Sequence, residues 1–181
     1  MKQFLIGALV LLYPVTVYFG LQWVQPSVIA IIMAVVILLR YWLLGGSELS
    51  PQMRLIGISA IVLFVFTAIT NSNISLHLYP VLISLGFFSV FLYSIYRPPS
   101  IITQIASLRD SLSEEKVNYT VKVTKVWCGF FILNAGVAFV TVWLDNKELW
   151  LLYNGLVSYV LMGLLFAAEW LYRIKIKKYG N

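Results

Sequence analysis

Six predominantly apolar stretches, each 18 to 23 residues long, run through this chain of 181 residues. They cover residues 4–22, 27–44, 54–71, 77–96, 126–144 and 149–171. A helix of about 20 apolar residues crosses the roughly 30 Å hydrocarbon core of a bilayer. Charged residues make up only 11% of the chain, against about 25% in soluble domains. We therefore predict an all-α, polytopic membrane protein with six transmembrane helices in a single membrane domain, residues 1–181.

The distribution of basic residues predicts how the six helices are oriented. If residue 1 lies in the cytoplasm, that side carries twelve of the 13 Lys and Arg residues, and the outer side carries Lys147. Cytoplasmic loops of membrane proteins are enriched in Lys and Arg, so both termini are predicted to be cytoplasmic. The net charge of +6 then reflects orientation and anionic lipid rather than nucleic acid. Six tryptophans near the ends of the stretches are predicted to lie in the aromatic belts of the bilayer: Trp23, Trp42, Trp127, Trp143, Trp150 and Trp170.

Residues 97–125 form the one long connection, on the predicted cytoplasmic side between spans four and five. Four aliphatic residues, spaced by four, three and four positions, share one face of a helix: Ile101, Ile105, Leu108 and Leu112. An amphipathic helix that is tethered to a span at each end is typical of a segment in the bilayer interface. The alternative is a docking helix for a cytoplasmic protein. Residues 114–125 are predicted to be a helical or extended lead-in to the fifth span.

Two asparagines in the last two apolar stretches are candidates for a functional site, because an amide is costly to bury in lipid. Asn134 lies near the middle of the fifth stretch. Asn154 lies toward the outer end of the sixth, close to the hydroxyls of Tyr153 and Tyr159. One interpretation is a polar contact or ligand site between these two spans. The other is interhelical hydrogen bonding in a tight hairpin, which the neighbouring glycines favour. Asn154 is predicted to be one half of a polar contact with the fifth span.

Glu169 and Arg173 stand four residues apart near the cytoplasmic end of the sixth stretch. This order and spacing favour an ion pair on one face of a helix. We interpret the pair as interfacial, because a carboxylate that couples protons would lie deeper in the membrane. Three lysines follow and are predicted to anchor this helix end on lipid headgroups: Lys175, Lys177 and Lys178.

The residue types needed for catalysis do not form a recognisable set. His77 has neither a second histidine nor an acidic pair to accompany it, so no metal site and no histidine acid–base pair is predicted. Cys128 is the single cysteine, which excludes an internal disulfide, and no glycine-rich phosphate loop is present. We predict no cofactor and favour a non-enzymatic role over a membrane-bound acyl or glycosyl lipid transferase.

From residue 79 onward, four segments together resemble one family: YPVLISL, RPPSII, NYTVKVTKVWCGFFILNAGVA and WLLYNGLVSYVLMGLLFAAEWLYR. Its members are bacterial inner-membrane proteins from gene clusters that make aryl polyenes, which are xanthomonadin-like pigment lipids. The resemblance implies a multi-pass protein of the Gram-negative inner membrane that assists in assembling, handling or exporting such a lipid. The positions that it points to are Tyr119, Thr120, Trp127, Cys128, Phe130, Phe131, Asn134, Tyr153, Asn154, Gly155, Glu169 and Arg173.

Two alternatives stay open beside this accessory role. A small transporter or flippase for an amphipathic lipid is suggested by Asn134, by Pro14 within the first span, and by the motif LYPV at 12–15 and 78–81. A fainter resemblance of VWCGFFILN to the intracellular septation protein A family implies a part in envelope synthesis and division. The partners expected of the accessory role are membrane lipids and cytoplasmic biosynthetic proteins that bind residues 97–125.

Overall fold

The chain folds into helices that are joined by short connections. The computed structural model describes residues 13–43, 51–108 and 112–179, apart from the side chains of 13, 14, 16, 40, 41, 43, 51–56 and 175–179. The helices are α1 (Tyr13–Gly20), α2 (Pro26–Leu43), α3 (Pro51–Thr70), α4 (Asn73–His77), α5 (Tyr79–Tyr96), α6 (Ile101–Ser107), α7 (Glu114–Trp143), α8 (Lys147–Leu152), the π-helix π1 (Tyr153–Val157) and α9 (Ser158–Tyr179). All regular secondary structure in the described ranges is helical, which confirms the predicted all-α class.

Three helical segments within the described ranges are long and apolar enough to cross a membrane: Asn73–Tyr96, Glu114–Trp143 and Lys147–Ile174. Two shorter apolar helices, Pro26–Leu39 and Gly57–Thr70, overlap the predicted second and third spans. Together these segments indicate a membrane protein. Of the predicted first span, residues 4–12 lie outside the described part of the chain. The number of spans and their orientation stay predictions.

Helix α7 runs antiparallel to both α5 and the last helix. Contacts between α5 and α7 move forward along one helix as they move back along the other, from Ser84 with Asn134 to Phe91 with Trp127. The last helix, α8–π1–α9, returns along α7 in the same way. We call the end of the molecule that carries α6 the α6 end, and the opposite end, where α7 meets α8, the hairpin end.

Two tight turns at the hairpin end contain residues with a left-handed backbone. Asn71 has a φ of 51° and Asp145 a φ of 48°, and Asn and Asp adopt this conformation more readily than other residues with side chains. Asn71 Oδ1 accepts a hydrogen bond from the Ser27 amide at 3.0 Å, which ties the α3–α4 turn to the start of α2. Asn146 Oδ1 accepts from the Leu149 amide at 2.9 Å and so caps α8.

Two clusters of packed side chains hold the helices together, and among the described residues α5 and α7 share the most extensive interface. The cluster at the hairpin end contains Val17, Ile29, Ala30, Ala60, Phe64, Leu76, Tyr79 and Trp150. Toward the α6 end, neighbouring ring centroids lie 4.5 to 6.4 Å apart in an aromatic cluster of Phe87, Phe91, Trp127, Phe130, Phe131 and Phe166. Such spacing is typical of favourable aromatic contacts.

Helices α6 and α7 refine the prediction for the long connection. Helix α7 begins at Glu114, well before residue 126, so the lead-in to the fifth apolar stretch is helical. Helix α6 has seven residues and ends at Ser107, and Leu112 lies beyond it. Its apolar face points away from the chain, since Ile105 is 58% and Leu108 84% exposed. The polar residue Thr103 is instead the one buried against α7.

Four buried hydroxyls, which we call the hydroxyl cluster, hold α6 against α7. Thr103 Oγ1 lies 2.7 Å from Ser100 Oγ and 2.7 Å from Thr120 Oγ1. Thr124 completes the cluster by donating to Ser100 Oγ at 3.0 Å. Each of these side chains is at most 5% exposed. A buried hydroxyl without a partner is destabilising. Here each of the four hydroxyls has a hydrogen-bond partner within the cluster, and these bonds join α6 to α7.

Two tryptophans that were predicted to lie in the aromatic belts are buried. Trp150 is 1% exposed, and its indole N–H donates to the His77 carbonyl at 3.0 Å. Trp127 is buried in the aromatic cluster. The prediction was wrong for both, because depth along a helix does not reveal which side of the helix meets a neighbour. Four others are exposed, as belt residues are: Trp23, Trp42, Trp143 and Trp170.

Replacing Thr124 with valine should lower the free energy of unfolding by about 1–3 kcal/mol. The variant lacks the hydroxyl that bonds to Ser100 and to the Thr120 carbonyl, and it leaves Ser100 buried with fewer partners. The measurement is denaturant-driven unfolding of the purified full chain in mixed micelles. In the double variant with Ser100→Ala, the two losses should fall short of additivity by about 0.5 kcal/mol or more.

Thr70→Val is the matched control, because Thr70 is exposed and its hydroxyl bonds to the Phe66 carbonyl of its own helix at 2.8 Å. Its effect should stay within about 0.5 kcal/mol. Equal losses at positions 70 and 124 would show that the hydroxyl cluster does not stabilise the fold.

Candidate functional site

Asn134 is the centre of a polar contact that joins three helical elements. Its Nδ2 donates to Ser84 Oγ of α5 at 2.9 Å, and its Oδ1 accepts from the Tyr153 hydroxyl of π1 at 3.0 Å. Both ends of the half-buried amide are therefore engaged within the chain. Interhelical hydrogen bonds of this kind stabilise helix packing in membranes, and a ligand would have to displace one of the two.

Asn154 also contacts α7, but at Thr141 and not at Asn134. Its Nδ2 donates to Thr141 Oγ1 at 3.2 Å and to the Trp150 carbonyl at 2.9 Å. It belongs to π1, an element type that is frequent at functional sites. The Ser158 hydroxyl donates to the Asn154 carbonyl at 3.3 Å, so two side chains supply donors to carbonyls around this π-helix. Asn154 Oδ1 is buried and has no hydrogen-bond partner among the described residues.

The remaining candidates of the last helix lie apart from these contacts. Tyr159 is half-buried in α9 and takes no part in the hydrogen bonds of Asn134 or Asn154. Three lysines belong to the last turns of α9, but their side chains lie outside the described part of the chain: Lys175, Lys177 and Lys178. Of the four residues predicted to form the polar site, the structure thus brings together Asn134 and Tyr153.

Glu169 and Arg173 form an ion pair on α9. Arg173 Nε donates to Glu169 Oε1 at 3.0 Å, and Arg173 Nη2 contacts the same oxygen. The Tyr119 hydroxyl of α7 donates to this oxygen at 3.4 Å, and its ring stacks on Tyr172 with centroids 5.8 Å apart. The pair therefore also links α7 to α9, a contact that its spacing within one helix could not reveal.

A groove with a volume of about 510 Å³ lies between α7 and α9 at the α6 end, and we call it the α7–α9 groove. Its apolar walls are Val123, Val126, Trp127 and Leu165, and its polar walls are Glu115, Asn118, Tyr119, Lys122, Glu169 and Tyr172. Sites for small molecules commonly have volumes of about 300–1,000 Å³. A lining of this composition suits a molecule that has an apolar part and a charged head.

The other chemistry-bearing side chains are engaged in packing. The His77 ring lies against Trp150, with centroids 4.7 Å apart, and the Cys128 thiol is free and buried. Within the described ranges, no group of three His, Cys, Asp or Glu residues could hold a metal ion. Among the described residues, the side chains that line the α7–α9 groove are the ones placed to contact a bound molecule.

Several residues that organise the site were missed from the sequence. Ser84 and Thr141 are small polar residues inside apolar stretches, and their asparagine partners are 50 and 13 positions away. No motif or spacing in the sequence indicates that Ser84 bonds to Asn134 or that Thr141 bonds to Asn154. A usable signal did exist for the hydroxyl cluster, because Thr120 and Thr124 are four residues apart and so share one face of a helix.

Comparison of the chain with protein-family models, with curated proteins and with solved structures finds no match. The resemblance to the aryl-polyene family stays a prediction. The candidate site is defined by its own geometry, which consists of the Asn134 contact, the π1 turn and the α7–α9 groove.

Asn134→Leu should lower the free energy of unfolding by about 1–2 kcal/mol, because it removes two interhelical hydrogen bonds that average roughly 0.6 kcal/mol each in membrane proteins. The loss should be coupled to Ser84, so that Ser84→Ala costs less in the Asn134→Leu background than in the native chain. Unfolding of the four proteins in mixed micelles, treated as a double-mutant cycle, measures this coupling.

Ser89→Ala is the control for this cycle. Ser89 is an exposed serine of α5, the helix that also carries Ser84, and its hydroxyl bonds to the Leu85 carbonyl at 2.8 Å. Its effect should be the same in both backgrounds. A cycle in which Ser84 and Ser89 show equal coupling to Asn134 would argue against the polar contact.

Proposed function

We propose that this chain is a non-enzymatic accessory protein of a bacterial inner membrane, where it serves a system that makes or exports an aryl-polyene-type lipid of the envelope. In this proposal it crosses the membrane six times with both termini in the cytoplasm. The resemblance of its last hundred residues and the distribution of Lys and Arg support this assignment.

The observation that carries the proposal is the fixed position of α6. The hydroxyl cluster binds it to α7, and the Ile101 amide donates to Ser94 Oγ of α5 at 3.1 Å. A seven-residue helix could not hold its shape alone. Here it is held rigidly between two helices, and it presents Ile105 and Leu108 to its surroundings.

A rigid helix with an exposed apolar face serves as a contact surface on the cytoplasmic side. Its first use is to lie on the inner leaflet, where the apolar side chains enter the headgroup region. The same surface can receive a cytoplasmic biosynthetic protein, which would bring synthesis of the lipid close to the membrane. Both uses place the chain beside the lipid product without requiring a catalytic group from it.

Deletion of the gene from a Gram-negative host that makes such a lipid should change the lipid and pigment content of separated inner and outer membranes. Loss of the product supports a role in synthesis, and product retained in the inner membrane supports a role in export. An unchanged profile in both membranes would refute the proposal.

Ile105→Glu combined with Leu108→Glu should reproduce the deletion phenotype at unchanged protein level, because charges replace the apolar contact surface of α6. Ser107→Glu is the matched control, since it adds a charge to an exposed position on the same helix outside that face. Pulldown of the native chain and of both variants then tells whether a biosynthetic protein depends on the surface. If the double variant fully complements the deletion, the apolar surface of α6 is not needed for the proposed function.

A further inference from the structure

The α7–α9 groove changes from apolar to charged along its length. Val126 and Trp127 on α7 face Leu165 on α9 in the part that lies nearer the middle of the molecule. Toward the α6 end, the α7 wall continues with Lys122 and then Glu115. At a rise of 1.5 Å per residue, about 16 Å separate Val126 from Glu115 along the helix axis. The lining thus has the order of polarity of an amphiphile that lies with its head at the α6 end.

The charges of the groove leave one cation and one anion available to a ligand. Glu169 Oε1 pairs with Arg173 and accepts the Tyr119 hydroxyl, so the charge of this carboxylate is balanced within the chain. Lys122 and Glu115 form no ion pair with the described residues. A head with a single negative charge would match Lys122 but would face the Glu115 carboxylate without compensation.

The order of Lys122 and Glu115 along the groove matches the order of charges in one class of lipid headgroup. Starting from the apolar wall, Lys122 comes first and Glu115 lies seven residues further toward the α6 end. In a phospholipid with an amine-bearing headgroup, the phosphate lies next to the chains and the amine lies beyond it. We propose that the groove binds one such zwitterionic phospholipid, with its phosphate at Lys122, its amine at Glu115 and an acyl chain along Trp127 and Leu165.

Titration of the purified full chain in detergent with phosphatidylethanolamine or with phosphatidylglycerol of the same acyl chains tests this assignment, with bound lipid counted by native mass spectrometry. Phosphatidylethanolamine should bind about tenfold more tightly, as expected when one charge contact is gained. Glu115→Gln should abolish this preference, whereas Lys122→Gln should weaken both lipids about tenfold.

Two neighbouring charges outside the groove provide controls on the same helix: Glu114→Gln and Lys116→Gln should leave the affinity for either lipid unchanged. Leu165→Trp fills the apolar part and should reduce the binding of both lipids, while circular dichroism shows whether the chain remains helical. This assay uses only the isolated chain and lipid, so its result does not depend on the proposed accessory role.

Preference for phosphatidylglycerol, or a Glu115→Gln variant that still prefers phosphatidylethanolamine, would overturn the zwitterionic assignment. Unaltered lipid binding by a helical Leu165→Trp variant would overturn the groove as the site.

Discussion

Helix α7 is hydrogen-bonded to its neighbours at three levels, and these bonds fix the arrangement of α5, α6 and the last helix around it. Toward the α6 end, Thr120 and Thr124 hold α6. Further along, Asn134 bonds to α5 and to π1, and near the hairpin end Thr141 receives Asn154. Within an apolar environment no water replaces a lost partner. A shift of α7 along its axis would break bonds at all three levels, so together they fix its position.

The positions of the helices could be predicted from the sequence, whereas their polar partners could not. Apolar composition is a local property, and α2, α3, α5 and the later part of α7 coincide closely with the predicted stretches. Asn154 shows the limit of this reasoning. Its contact with the fifth stretch was expected, but the partner is Thr141 and the surrounding backbone is a π-helix. Both depend on how two helices are placed relative to each other.

Which side chains are exposed was harder to predict than which residues are helical, because exposure depends on how the helices are placed relative to each other. The spacing of Ile105 and Leu108 places them on one face of a helix, and that face turns outward because the hydroxyl of Thr103 bonds to Thr120 on α7. Trp150 lies near a helix end, where a belt residue would be, yet the His77 carbonyl accepts its indole N–H inside the molecule. In both cases a hydrogen bond between elements decides which side of the helix is buried.

Within its described part, the buried residues of the last helix all lie toward the hairpin end. In the apolar window of Lys147–Ile174 only 11% is buried within the chain, against 39% for Glu114–Trp143. At the hairpin end, Trp150 and Asn154 fasten it to buried neighbours. At the α6 end, it meets α7 through aromatic contacts and the 3.4 Å hydrogen bond from Tyr119, and the groove lies between the two helices. Apolar walls gain dispersion contacts from an apolar chain that lies along them. In the binding proposed above, an acyl chain along Trp127 and Leu165 would supply such contacts on a side of the helix that the rest of the chain leaves uncovered.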